Sequence, residues 1–192
     1  MRTAEIKRKT KETDIEVFVK LDGEGKVSVN TGIGFFDHML TAFGVHSGID
    51  LQVNCTGDLQ VDGHHTVEDV GICLGMAFAK ALGDKSGIAR YGSAFIPMDE
   101  ALAFCALDIS GRPFLVFDAD FHDERIGSYD TCLTEEFFRA FAFNSGITLH
   151  IKKEYGKNDH HIAEAIYKAV AHALKAAMTL SGNGVLSTKG VL

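Results

Sequence analysis

Apolar and polar positions begin to alternate near the start of the chain. Ile15, Val17, Val19 and Leu21 fall on one side of an extended backbone, so residues 5–21 read as a strand. Asp22-Gly23-Glu24-Gly25 is a turn, and residues 26–30 return as a second strand, predicting a hairpin. Residues 35–45 read as a helix, residues 51–55 as a strand and residues 67–82 as a helix. The pattern then starts again. Residues 94–104 and 106–108 read as strands, and 113–117 with Phe121 begin another. Residues 134–143 and 163–180 read as helices. Both long helices are Ala-rich and free of proline. Strands precede helices within each half, which predicts an α+β fold with antiparallel or mixed sheets carrying helix pairs on one face.

The repetition reaches individual residues. His64-His65-Thr66-Val67-Glu68 returns as His160-His161-Ile162-Ala163-Glu164. Upstream, Phe43-Gly44-Val45-His46-Ser47-Gly48-Ile49 parallels Phe141-Ala142-Phe143-Asn144-Ser145-Gly146-Ile147. Two copies with so long a period do not make a solenoid. They predict an internal duplication, with pseudo-repeat halves at 1–90 and 91–192 forming one compact unit.

Composition narrows the functional classes. The 192 residues are 46% hydrophobic and include 14 Phe, enough for a sizeable core. The net charge is −7 with no basic run, which argues against nucleic acid as a partner. No apolar run reaches the roughly 20 residues of a membrane span. Residues 1–16 are charged and carry no apolar signal region, so a cytoplasmic location with no membrane partner is expected. Cys55, Cys73, Cys105 and Cys132 are scattered and read as reduced core or strand residues.

The doubled HHxxE carries the chemistry. On a helix the glutamate lies one turn from both histidines, while the two imidazoles diverge by about 100° around the axis. Neighbours so placed serve two ions better than one, each ion taking one histidine from each copy. Imidazole ligands suit Mn, Fe, Co, Ni or Zn rather than Mg or Ca. His38 and His150 add two donors, giving six His and two Glu with Glu68 and Glu164. His46, His122 and His172 lack a partner pattern and read as ordinary surface or core histidines. Arg90, Arg112 and Lys189 are candidate anion-binding cations. The Ser181-Gly182-Asn183-Gly184 stretch and the Ser and Lys after it offer a segment that can order around an anion, although a solvated tail is the simpler reading. Glu12 and Asp99 are acid–base candidates that read equally as surface carboxylates. Two rival classes stay open: a binuclear hydrolase, which would use more Asp ligands, and a metal-storage or metal-assembled protein.

The chain resembles the imidazoleglycerol-phosphate dehydratase family over essentially its whole length. The resemblance is carried by Arg8-Lys9-Thr10-Lys11-Glu12-Thr13, Gly34-Phe35-Phe36-Asp37-His38-Met39-Leu40 and Asp62-Gly63-His64-His65-Thr66-Val67-Glu68-Asp69. It continues through Met98-Asp99-Glu100, Asp108-Ile109-Ser110-Gly111-Arg112-Pro113, Thr148-Leu149-His150, Lys157-Asn158-Asp159-His160-His161-Ile162-Ala163-Glu164 and Ser187-Thr188-Lys189-Gly190-Val191-Leu192. Thr188 stands where the family commonly has Ser. The resemblance implies halves like the second domain of ribosomal protein S5. It implies a cage of 24 subunits, with active sites completed between subunits and two Mn2+ per site. It implies dehydration of a phosphorylated imidazole, imidazole glycerol phosphate, to imidazole acetol phosphate in histidine biosynthesis. The chemistry expected is a metal-stabilised imidazolate that expels the adjacent hydroxyl to give a diazafulvene. By the same resemblance His38, His64, His65, Glu68, His150, His160, His161 and Glu164 would be ligands. Glu12 would be the base, with Asp99 in a weaker proton-relay role, and Arg90, Arg112, Ser187 and Lys189 would hold the phosphate.

Overall fold

A computed structural model describes every residue of the chain except Asn183 and Val191. The Asn183 part of the 181–184 reading and the Val191 of the terminal motif therefore lie outside the described residues.

The first half opens with β1 (Thr3–Lys9), β2 (Thr13–Lys20) and β3 (Val27–Asn30). It continues with α1 (Gly34–Ser47), β4 (Asp50–Gly57) and α2 (His64–Leu82). The second half runs β5 (Tyr91–Met98), β6 (Ala101–Asp108), β7 (Phe114–Asp118), a short ribbon of β8 (Arg125–Ile126) and β9 (Tyr129–Asp130), α3 (Leu133–Ser145), β10 (Thr148–Tyr155) and α4 (Asp159–Met178). The first sheet has strand order β1-β2-β4-β3 and the second β5-β6-β10-β7. In each, the last strand runs parallel to its neighbour and the other pairings are antiparallel. The mixed α+β architecture is as predicted.

Three expectations need correction. Residues 5–21 form two strands, because the Thr10 hydroxyl accepts hydrogen bonds from the backbone of Glu12 and Thr13 and reverses the chain without Gly or Pro. Residues 94–104 likewise break at Asp99, whose φ of 47° makes a left-handed turn. The predicted hairpin across residues 22–25 does not form. β3 pairs in parallel with β4, and each four-stranded sheet instead opens with a hairpin, β1–β2 or β5–β6.

Alternation fixes which face each sheet buries. In β2, Ile15, Val17 and Val19 point inward at 1% exposure or less, while their neighbours face out. α2 covers β1 and β2, and α4 covers β5 and β6. Helices of one half also pack on helices of the other, α1 on α4 and α2 on α3. Aromatic side chains knit this shared core: Phe36 meets Phe137 edge-on at 5.3 Å, and Phe141 meets both Phe43 and Phe78. Both Ser-Gly-Ile turns are helix ends, where Gly48 (φ 75°) and Gly146 (φ 70°) adopt the left-handed cap conformation. Cys55, Cys73 and Cys105 are buried in the core, whereas Cys132 is exposed at the start of α3.

Candidate metal centre and active site

Each HHxxE opens a helix. In α4 the Asn158 side chain accepts from the backbone N–H groups of His160 and His161, fixing where both imidazoles leave the first turn. In α2, Asp62 Oδ1 accepts from His64 N at 2.7 Å. His38 joins the α4 group from the neighbouring helix. His38 Nε2 lies 3.4 Å and His160 Nε2 3.3 Å from the same oxygen, Oε2 of Glu164. One donor atom from each of these three residues falls within 4.8 Å of the others. This is the one such group among the described residues. Lys168 Nζ holds the other carboxylate oxygen of Glu164 at 2.6 Å. Burial pushes the Glu164 carboxyl upward, but the Lys168 hydrogen bond and charge and nearby His38 outweigh it, so its pKa is lowered.

The second histidine of each copy is held differently, and in the same way in both halves. His65 Nδ1 is 3.1 Å from Asp58, leaving Nε2 facing Glu12 at 3.8 Å. His161 Nδ1 is 2.6 Å from Glu100, leaving Nε2 facing Asp99 at 3.6 Å. The hydrogen bonds to Asp58 and Glu100 raise the pKa of His65 and His161 respectively. Bonds from His161 and from the Asn158 and Lys157 amides pull Glu100 down to about 2. A ring fixed at one nitrogen and free at the other is the arrangement of a metal-ligating histidine. The donor set of imidazoles and carboxylates therefore fits a borderline transition ion. His64 Nε2 lies 3.8 Å from Glu68 Oε2, one helical turn away.

Within one chain the two HHxxE copies do not pool their histidines: His160 groups with His38 rather than with His64. His150 is also elsewhere, on the exposed face of β10 beside Tyr91, Asp108 and Thr148.

The cations predicted for phosphate do converge. Arg90, Arg112, Ser187 and Lys189 line one cavity of about 760 Å³. Arg90 is fixed there by Asp108 through two hydrogen bonds of 2.7 and 3.0 Å, which raise its pKa, and by the Leu186 carbonyl. This cavity adjoins the C-terminal end of α4, where Arg90 N donates to the Ala177 carbonyl. The clustered imidazoles lie at the N-terminal end. About 1.5 Å per residue along α4 separates the two sites by roughly 25 Å.

Sequence reading assigned no role to Asp58, Glu100 or Lys168, although Glu100 lies in the quoted Met98-Asp99-Glu100 motif. The i,i+4 spacing of Lys168 from Glu164 was the other available signal. It also left three histidines without partners. His46 Nδ1 and His172 Nε2 lie 3.1 Å apart between α1 and α4, and His122 bonds Asp159 at 3.0 Å.

The family model described as imidazoleglycerol-phosphate dehydratase matches residues 31–174. Imidazoleglycerol-phosphate dehydratase of Streptococcus gordonii is 58% identical, with the whole of each chain covered. The Clostridium kluyveri enzyme of that name is 56% identical, again over both whole chains. The crystal structure of the Staphylococcus aureus dehydratase superposes with a TM-score of 0.85 at 41% identity, covering 93% of this chain and 99% of that one. A Pyrococcus furiosus structure in complex with (S)-C348 gives the same TM-score at 40% identity, covering 97% and 100%. Matched residues, full-length identity and a shared fold agree, and the chain belongs to the imidazoleglycerol-phosphate dehydratase family, hydro-lyases of histidine biosynthesis.

Proposed function

We propose that this chain dehydrates imidazole glycerol phosphate to imidazole acetol phosphate at a two-manganese site completed between neighbouring subunits. The observation that carries this reading is the separation within one chain. Imidazole ligands stand at one end of α4, and the cationic cavity with nearby His150 stands at the other. A gap of roughly 25 Å exceeds the span of one imidazole-bearing triose phosphate. A single substrate meets both ends only if different chains supply them. The 24-subunit cage expected from the resemblance provides such neighbours.

The ligand set is His38, His64, His65, Glu68, His150, His160, His161 and Glu164. Two bound ions would supply Lewis acidity and a template for the substrate's orientation. The chain's own groups do the rest. Asp58 and Glu100 keep the Nε2 atoms of His65 and His161 turned outward. Arg112, Ser187 and Lys189, on the frame set by Arg90, grip the phosphate. Glu12 takes the proton from the carbon that keeps its hydroxyl, the hydroxyl next to the ring leaves as water, and the enol becomes the ketone. Asp99 stands at the equivalent position in the second half and serves as a proton relay. The parallel strand orders support halves at 1–90 and 91–192 derived from one ancestral unit. As an enzyme of amino-acid biosynthesis it works in the cytoplasm; no described helix is long and apolar enough to cross a membrane.

Metal-stripped protein assayed for turnover of imidazole glycerol phosphate, with Mn2+ added back, tests the proposal. Activity should vanish on stripping and return at about two Mn2+ per site. Full turnover in protein free of transition metal contradicts it.

A further inference from the structure

We propose that Asp69 is a positioning residue for Glu12, acting through Thr13. The inference rests on the reading of Glu12 as the base. Glu12 sits in the exposed reversal between β1 and β2, a poor place to hold a carboxylate in register with an ion bound to another element. The reversal is nevertheless anchored. Asp69 lies on α2 directly after the HHxxE and is 6% exposed. Its Oδ2 accepts a 2.6 Å hydrogen bond from the Thr13 hydroxyl, and Arg8 Nη1 lies 2.5 Å from the same oxygen. Both strands that flank Glu12 are thereby tied to the helix that carries His65 and Glu68.

The rest of the reversal transmits that anchor. Thr10 Oγ1 accepts from the amides of Glu12 and Thr13 at 3.1 and 3.0 Å. The Asp58 amide donates to the Glu12 carbonyl at 3.1 Å, and the Asp58 side chain holds His65. A ring of contacts therefore runs from Asp69 through Thr13 and Glu12 to Asp58 and His65. In the second half the position matching Asp69 is Ala165. There the reversal is tied the other way round, as Glu100 accepts from the amides of Lys157 and Asn158. The anchoring carboxylate lies on the helix only in the half whose reversal carries the base.

The test is a double-mutant cycle on the metal-loaded enzyme, read in kcat, KM, Mn content and Tm. Thr13→Val removes the hydroxyl at nearly constant shape and leaves Asp69 paired with Arg8. It should lower kcat by about tenfold or more with KM and Mn content little changed. Thr13→Ser, which keeps the donor, should recover most of that loss. In a Glu12→Gln background the Thr13→Val penalty should disappear, because there is no base left to misplace. Asp69→Ala, which removes the acceptor, should reproduce the pattern, and Thr13→Val decides the matter if that variant fails to fold. An unaltered kcat in Thr13→Val, or the same fractional loss in both backgrounds, overturns the positioning role. Normal turnover by Glu12→Gln alone overturns the base assignment instead.

Discussion

His65 and His161 each commit one ring nitrogen to a carboxylate and keep the other free. Without metal, Asp58 and Glu100 raise their pKa values above the ordinary imidazole value of about 6.5. The stability this gives is fully present below the unfolded value and is lost as pH rises through the raised one. Metal binding runs the other way, because a ligating imidazole must be neutral. The Tm gap between manganese-loaded and stripped protein should therefore widen from about pH 6 to about pH 8. Melts of both forms across that range check this, and a constant gap contradicts it. Asp58→Asn and Glu100→Gln should each weaken manganese binding about 10–100-fold while the ligands themselves remain. Titration with the metal measures this directly, and unchanged affinity removes Asp58 and Glu100 from the site.

At the scale of elements, the helices put the candidate ligands where they are. α1 packs alongside α4 and α2 alongside α3, with Gly71 and Gly75 on α2 at the second contact. A Cβ at Gly71 would lie 2.8 Å from the Phe137 carbonyl oxygen, and one at Gly75 would lie 2.7 Å from that of Phe141. Gly71→Ala or Gly75→Ala should cost about 1–3 kcal/mol despite the better helix propensity of Ala. Chemical denaturation measures the cost, and a neutral or stabilised variant contradicts the close packing. The helices and the doubled HHxxE were legible because both are periodic or repeated. The β1–β2 reversal was not, since it is made by a Thr10 hydroxyl that does not resemble a Gly/Pro turn, and the left-handed β5–β6 reversal at Asp99 was marked only by Pro97 before it. The parallel pairing of β3 was hidden too, because its partner is β4, beyond α1, and not the adjacent β2. Residue type alone made Glu12, Arg90, Arg112 and Lys189 candidates, and only the family resemblance implied a role for each, since isolated charges have no spacing to read. The structure then gave Glu12 its imidazole neighbour and the three cations a common cavity.

Across the whole molecule, the cationic cavity and the imidazole group stand at opposite ends of α4, and the proposal makes each one half of a site shared between chains. If metal bridges chains, chelation should break a large assembly into smaller species, which light scattering would register as a fall in mass. An unchanged mass in fully stripped protein contradicts bridging. The sharing of sites has a more direct test in complementation. Glu12→Gln disables the imidazole end, and the double variant Arg112→Ala with Lys189→Ala disables the phosphate end. Each assembly alone should be nearly inactive. Dissociated, mixed in equal amounts and reassembled, they should recover about a quarter of wild-type activity, because random mixing in a closed assembly pairs two intact ends in that fraction of sites. Mixed assemblies no more active than their parents would mean that each site is built within one chain, and would contradict a site shared between subunits.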